Sequence, residues 1–185
     1  MLDEIFAEAK ERMGKAISAL KGDMNSVRAG RANPSLLDRV MVDYYGTATP
    51  LKQMATISAP EPRLLVVQPW DKSGIGDVEK AIMKSDLGLS PASDGNLIRL
   101  AIPQLTEERR TELARVVRKK AEEGRVAIRN IRRDANDMIK ELGKEGEISE
   151  DDERWAQDEV QKITDEHVKQ VDEILQAKEA EIMEV

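Results

Sequence analysis

Six arginines between Arg115 and Arg133, in "RVVRKKAEEGRVAIRNIRR", are the residues of this chain whose type and spacing best suit chemistry, and that chemistry is anion binding. At 100° per residue with Arg125 at zero, Arg129 falls at about 40°, Arg132 at about -20° and Arg133 at about 80°. Arg118 falls at about 20° and Arg115 at about 80°, so the six share one arc of a helix. Ile128, Ile131, Ala135 and Leu142 fall on a separate arc. Planar guanidinium groups at helical spacing can each take two phosphate oxygens, which suits a polyanion backbone.

The surrounding charge sharpens the pattern. The whole chain carries a net charge of -7, yet Arg109 to Arg133 holds ten Lys or Arg against three Glu, a local charge of +7. Residues 145–185 hold fifteen Asp or Glu against four Lys or Arg, giving -11. One explanation is a solvated face whose arginines pair with that acidic last segment. Two points favour a binding face instead. The acidic segment must spend its apolar side on a core, so its acids need not face the arginines, and Arg is used in preference to Lys. The five aromatics, Phe6, Tyr44, Tyr45, Trp70 and Trp155, all lie outside the basic stretch, so a stacking platform for single strands is not indicated. Structured RNA read through its backbone and shape fits better, and the acidic balance argues against indiscriminate nucleic-acid binding.

The elements that would position these arginines are long helices. Leu2, Ile5, Phe6, Ala9, Met13, Ala16, Ile17, Leu20, Met24 and Val27 recur at three- and four-residue steps, a helix of roughly 40 Å ending at "AGRANP" with Gly30 as its C-cap. A second helix is expected from Thr106 as N-cap to Leu142, roughly 55 Å, ended by "GKEGE". Ser149 in "SEDD" opens a third through an acidic capping box, with Val160, Ile163, Val168, Val171, Ile174, Leu175 and Ile182 as its apolar side. Three such stripes must bury one another, which predicts an antiparallel three-helix bundle. Between the first two helices the period changes. "RVMVDYYG", "PLKQMATISA", "RLLVVQPW" and "NLIRLAIP" read as strands, and "GDVEKAIMKSDLG" as one short helix. The expected fold is therefore α+β, with residues 1–30 and 104–185 forming the bundle and a small β-rich α/β domain inserted at 31–103. Two short connections join them, "AGRANP" and "IPQL". Gly30, Ala32, Asn33 and Pro34 on one, with Pro103 and Gln104 on the other, form either a pivot or a packed, rigid joint.

A catalytic centre is not expected. There is no cysteine for a thiolate ligand or nucleophile. His167, the one histidine, reads as structural. "SGIG" at Ser73–Gly76 lacks the Lys of a phosphate loop, and "EDDE" at Glu150–Glu153 is explained by the helix dipole rather than by a metal. No cofactor is expected. The longest aliphatic run, "LLVV" at Leu64–Val67, is far short of a membrane span, and a cytoplasmic monomer without membrane contact is the default.

Taken together, "RAGRANPSLLD", "YYGTATPL", "VEKAIMKSDLGLSP", "LTEERR", "RVAIRNIRRDANDMIK" and "EISEDDERWAQDEVQKITD" resemble the bacterial ribosome recycling factor family, in that family's order and over essentially the whole chain. Met41, Ala48 and Gly124 depart from the family pattern, between its motif positions. The resemblance implies an L-shaped, tRNA-like protein with a hinged inserted domain. It implies binding to the post-termination ribosome and, with elongation factor G and GTP, subunit splitting after the nascent chain has left. It makes Arg129, Arg132 and Arg133 the contacts to large-subunit ribosomal RNA, joined by Arg125 and Arg118, with Arg110, Arg28 and Arg31 secondary. The rival reading is a helical RNA-binding or chaperone-like module without recycling activity; an enzyme ranks third.

Overall fold

A computed structural model describes residues 1–27 and 30–184. The chain divides into two compact units, Met1–Ala29 with Glu107–Glu184, and Gly30–Thr106.

The first unit is three helices: α1 (Leu2–Asn25), α3 (Glu107–Lys144) and α4 (Glu150–Met183). Their apolar stripes meet, burying Met13, Ile17 and Leu20 of α1 against Val117, Ile128 and Ile139 of α3 and Val160, Ile163 and Val171 of α4. At one place an aromatic pair joins α1 to α4, Phe6 and Trp155 edge to face at 5.7 Å. The stripe expected on α4 is narrower than its hydrophobic residues suggest. Val168, Ile174 and Leu175 are only half-buried, while Thr164 is buried because its hydroxyl donates to the Val160 carbonyl at 2.8 Å.

Helix ends are set by local chemistry. Ser149 caps α4 as its sequence predicts: its side chain accepts from the Asp152 amide at 3.1 Å, and the Asp152 carboxylate accepts from the Ser149 amide at 3.4 Å. α3 runs two residues past Leu142. It stops in a Schellman motif, with Gly146 at φ 74°, the Glu147 amide donating to Leu142 and the Gly146 amide to Gly143. α1 ends at Asn25, with Ser26 closing it, so Gly30 is not its C-cap. Two things favour glycine there: φ is 74°, and a Cβ would lie 3.0 Å from Leu105 Cγ.

The inserted unit holds β1 (Met41–Tyr44), β2 (Thr47–Pro50), β3 (Ala55–Glu61), β4 (Leu64–Pro69), α2 (Ile75–Lys84), β5 (Pro91–Ser93) and β6 (Ile98–Ala101). β1 and β2 form a hairpin turned by Tyr45 and Gly46, both at positive φ. The other four form an antiparallel sheet in the order β3-β4-β6-β5. Alternate residues Leu65 and Val67 of β4 and Ile98 and Leu100 of β6 point inward and pack with Ile75, Val78 and Ile82 of α2. All seven prolines of the chain lie in this unit; Pro60 and Pro91 sit on the edge strands β3 and β5, where proline is best tolerated. The sequence reading missed β2 and β5. It also ran the helix on to Gly88, whereas Ser85 turns to extended backbone and ends it.

Candidate nucleic-acid interface

The arginines sit on α3 because that helix must turn Leu113, Val117, Ala121, Ile128, Ile131, Ala135 and Ile139 inward. Their exposure then follows their angle from that apolar arc. Arg132, nearest the arc, and Arg125 are half-buried; Arg118, Arg129, Arg115 and Arg133 are exposed.

What each guanidinium meets divides the set. Arg125 is clamped: its Nη2 and Nε both donate to Asp172 Oδ1 on α4, at 2.6 and 3.1 Å, and its Nη1 to Glu122 at 3.2 Å. Its side chain is 20% exposed, against 50% for Asp172. The hydrogen bonds to Asp172 hold its pKa above the ordinary arginine value, with burial working against them. Arg118 Nε reaches Glu179 at 3.3 Å. The expectation that the acids of the last helix need not face the arginines therefore fails for these two. The reason is register: residues seven apart on α3 drift by only about 20°, so Arg118, Arg125 and Arg132 form one row along the α4 seam.

The remaining arginines are differently placed. Arg129 shares Glu122 with Arg125, at 3.2 Å, and is 49% exposed. Arg132 Nη1 donates only to the neutral Gln161 Oε1, at a long 3.4 Å. Arg133 is exposed, and among the described residues no carboxylate lies within ion-pair distance of it. Its neighbour Asp134 is turned to α1, bonded to Arg12 at 3.1 Å. Among the described residues Arg132 and Arg133, with Arg115 nearer the start of α3, are the arginines of this face that make no ion pair, while Arg129 shares Glu122 with Arg125. Arg110, in the first turn of α3, is half-buried with its Nε enclosed and unbonded. Arg31 belongs to the inserted unit and is exposed; Arg28 lies outside the described residues. Glu122, at about 60° on the helix projection, is the acidic neighbour the sequence placed on the basic side; Arg12, Gln161, Asp172 and Glu179 were not foreseen. A signal for two of them exists in the sequence, since Glu179 and Asp172 repeat the seven-residue spacing of Arg118 and Arg125 in the opposite direction.

The other proposed chemistries meet structural explanations. His167 Nδ1 donates to the Ile163 carbonyl at 2.7 Å, one helical turn back. In "SGIG" the place an anion would take is filled by Asp71, which accepts from the Ser73 amide at 3.0 Å, the Ser73 hydroxyl at 2.7 Å and the Tyr44 hydroxyl at 2.5 Å. These bonds lower the Asp71 pKa, that of Tyr44 most, and in return push Tyr44 up to about 12. A cleft of about 730 Å³ in the inserted unit interleaves Arg39, Lys80 and Lys84 with Asp43, Asp77 and Asp86, and the Ser85 hydroxyl beside it is spent on the Ile82 carbonyl. Among the described residues no group of three His, Cys, Asp or Glu is arranged to hold a metal, and no helix is long and apolar enough to cross a membrane.

Of the connecting residues, Ala32 donates its amide to the Pro62 carbonyl at 2.6 Å. Asn33 caps the short 3-10 turn Pro34–Leu37, accepting from the Ser35 amide at 3.0 Å. Ile102, just before Pro103, donates to the Arg63 carbonyl at 2.8 Å.

The family model described as "Ribosome recycling factor" matches residues 20–183. The ribosome-recycling factor of Natranaerobius thermophilus is 62% identical over 181 residues, covering 98% of each chain. A solution structure of the ribosome recycling factor aligns with a TM-score of 0.76 at 44% identity, covering 100% of this chain and 98% of that one. A second structure describes models for the T. thermophilus ribosome recycling factor and the E. coli elongation factor G bound to the E. coli post-termination complex. It aligns over 100% of both chains, with a TM-score of 0.65 and 50% identity.

Proposed function

This chain belongs to the ribosome recycling factor family, and from that premise we propose that it binds the post-termination ribosome and, with elongation factor G and GTP, promotes splitting into subunits. The full-length match to recycling factors is the observation that carries this reading. The chain acts in the cytoplasm as a monomer and is not itself an enzyme: the nucleotide chemistry belongs to the partner GTPase, and "SGIG" has its anion seat taken by Asp71.

The α3 face is the anchor on large-subunit ribosomal RNA. Arg129, Arg132 and Arg133 supply the phosphate contacts; among the described residues Arg132 and Arg133 make no ion pair, and Arg129 shares its carboxylate, Glu122, with Arg125. Arg110, Arg28 and Arg31 are secondary contacts. Arg125 and Arg118 serve mainly to hold α3 to α4, which keeps the bundle stiff while force passes through it. The inserted unit is the part the GTPase drives. Its pivot lies at Gly30 and at Pro103–Gln104; the hydrogen bonds of Ala32 and Asn33 support assigning Ala32, Asn33 and Pro34 to the moving unit.

Light scattering of purified post-termination ribosomes tests the reading. Added chain, cognate elongation factor G and GTP should lower the scattering as subunits separate, and omission of any one should abolish the change. Ribosome binding without splitting would favour a helical RNA-binding or chaperone-like module instead.

A further inference from the structure

The α3–α4 seam contains a ladder whose third rung is built differently from the other two. On α3 the rungs are Arg118, Arg125 and Arg132, seven residues apart. On α4, read in the opposite direction, they are Glu179, Asp172 and Asp165, also seven apart. The first two rungs close as ion pairs, Arg118 with Glu179 at 3.3 Å and Arg125 with Asp172 at 2.6 Å. The same register sets Arg132 opposite Asp165, yet that pair does not form. Gln161, one turn from Asp165 on α4, stands between them: its Nε2 donates to Asp165 Oδ1 at 2.8 Å, and its Oε1 receives Arg132 Nη1 at 3.4 Å.

We infer that Gln161 is a positioning residue that keeps Asp165 from neutralising Arg132, so that the Arg132 guanidinium stays available to a phosphate. The chemistry follows from the amide group. A carboxamide presents its N–H side to the carboxylate and its carbonyl to the guanidinium, so it satisfies both without joining their charges. Its carbonyl is a neutral acceptor at long range and gives way more readily to a phosphate than a carboxylate would. Two closed rungs hold the helices in register, and the open one carries the binding group. The inference rests on Arg132 being an RNA contact, the reading proposed above.

Gln161 is exposed, so its replacement leaves the core intact. The test measures affinity for ribosomes at fixed salt for Gln161→Ala, Gln161→Ala with Asp165→Ala, and Arg132→Ala. It also records the Arg132 side-chain Nε–H resonance of each free protein that retains the arginine. Gln161→Ala should lower affinity roughly two- to fivefold, the range of an exposed ion pair competing for the guanidinium. Adding Asp165→Ala should restore it, and the Arg132 resonance should move toward that of Arg125 in the single variant only. Loss of affinity that Asp165→Ala fails to restore overturns the inference, because Gln161 would then be a contact in its own right. Unchanged affinity in Gln161→Ala beside a loss of about tenfold or more in Arg132→Ala overturns it too, while leaving the anchor standing. Unchanged affinity in Arg132→Ala refutes the anchor instead. In that case the resonance alone decides the spacer: movement toward Arg125 upholds it, and a fixed position overturns it.

Discussion

Replacing Arg125 by Ala should weaken the bundle and leave ribosome affinity nearly untouched, the opposite of what replacing Arg132 should do. The Arg125 side chain is 20% exposed and gives two N–H groups to Asp172 and one to Glu122. A charge-assisted hydrogen bond in a dry site is worth about 1.5–3 kcal/mol, and an exposed ion pair about 0.2–1 kcal/mol. Asp172 is 50% exposed and regains water once its partner leaves, so a value between the two ranges applies, roughly 1–2 kcal/mol. Part of that is the packing of the aliphatic stem. For a chain of this size, 1 kcal/mol shifts Tm by about 2–4 °C, so the expected loss is about 2–8 °C. Urea unfolding followed by helical circular dichroism, on Arg125→Ala, Asp172→Ala and the double variant, should give a coupling energy of about 1 kcal/mol. Ribosome affinity of Arg125→Ala should stay within about twofold of the parent, an exposed-pair-sized effect at most. Unaltered stability together with a loss of affinity as large as that of Arg132→Ala would refute the division of the arginine face into clamp and anchor.

Three other outcomes are expected. Tyr44 should titrate at about 12, followed by phenolate absorbance in a Tyr45→Phe background, and Asp71→Asn should return it toward 10.0. Since the folded value is raised, the bond's contribution to stability is complete below pH 10.0 and is lost as pH rises toward about 12. Asp71 has the opposite sign: its lowered pKa stabilises above the ordinary carboxylate value, and that contribution falls away on acidification below 3.8. Ser149→Ala should cost about 1 kcal/mol through loss of the capping box, read by thermal unfolding, with Ser149→Asp restoring most of it. Gly30→Ala should destabilise the inserted unit by about 1–2 kcal/mol, because a positive φ and the contact with Leu105 both oppose a side chain there, and near-ultraviolet signals of Tyr44 and Trp70 should report it.

Three helices and the Ser149 cap could be read from the chain because each is written locally. A stripe such as Ile128, Ile131, Ala135 and Ile139 names its own buried face, and Ser149 with Asp152 names its own start. The two short strands were hidden for the converse reason. "TATP" and "PAS" hold few bulky apolar residues and lie at hairpin or sheet edges, where pairing with β1 and β6, rather than burial, defines them. The arginine arc was visible, but its division was not, since the partner of each arginine depends on how α3 and α4 are set against one another. Only that register turns Arg125 to Asp172 and puts Gln161 in front of Arg132. Gly30 was read as a helix terminator; instead its positive φ lies beyond the end of α1, and the contact that leaves no room for a side chain there, with Leu105, comes from the far end of the inserted unit.

The chain has no cysteine, so a single one can carry a tethered hydroxyl-radical source on the ribosome. Placed at Asp137, one turn beyond Arg133 on α3, it should cleave large-subunit ribosomal RNA strongly, while the same probe at Lys15 on α1 cleaves it weakly or elsewhere. Strong cleavage from Lys15 with none from Asp137 would contradict the placement of the arginine face on ribosomal RNA.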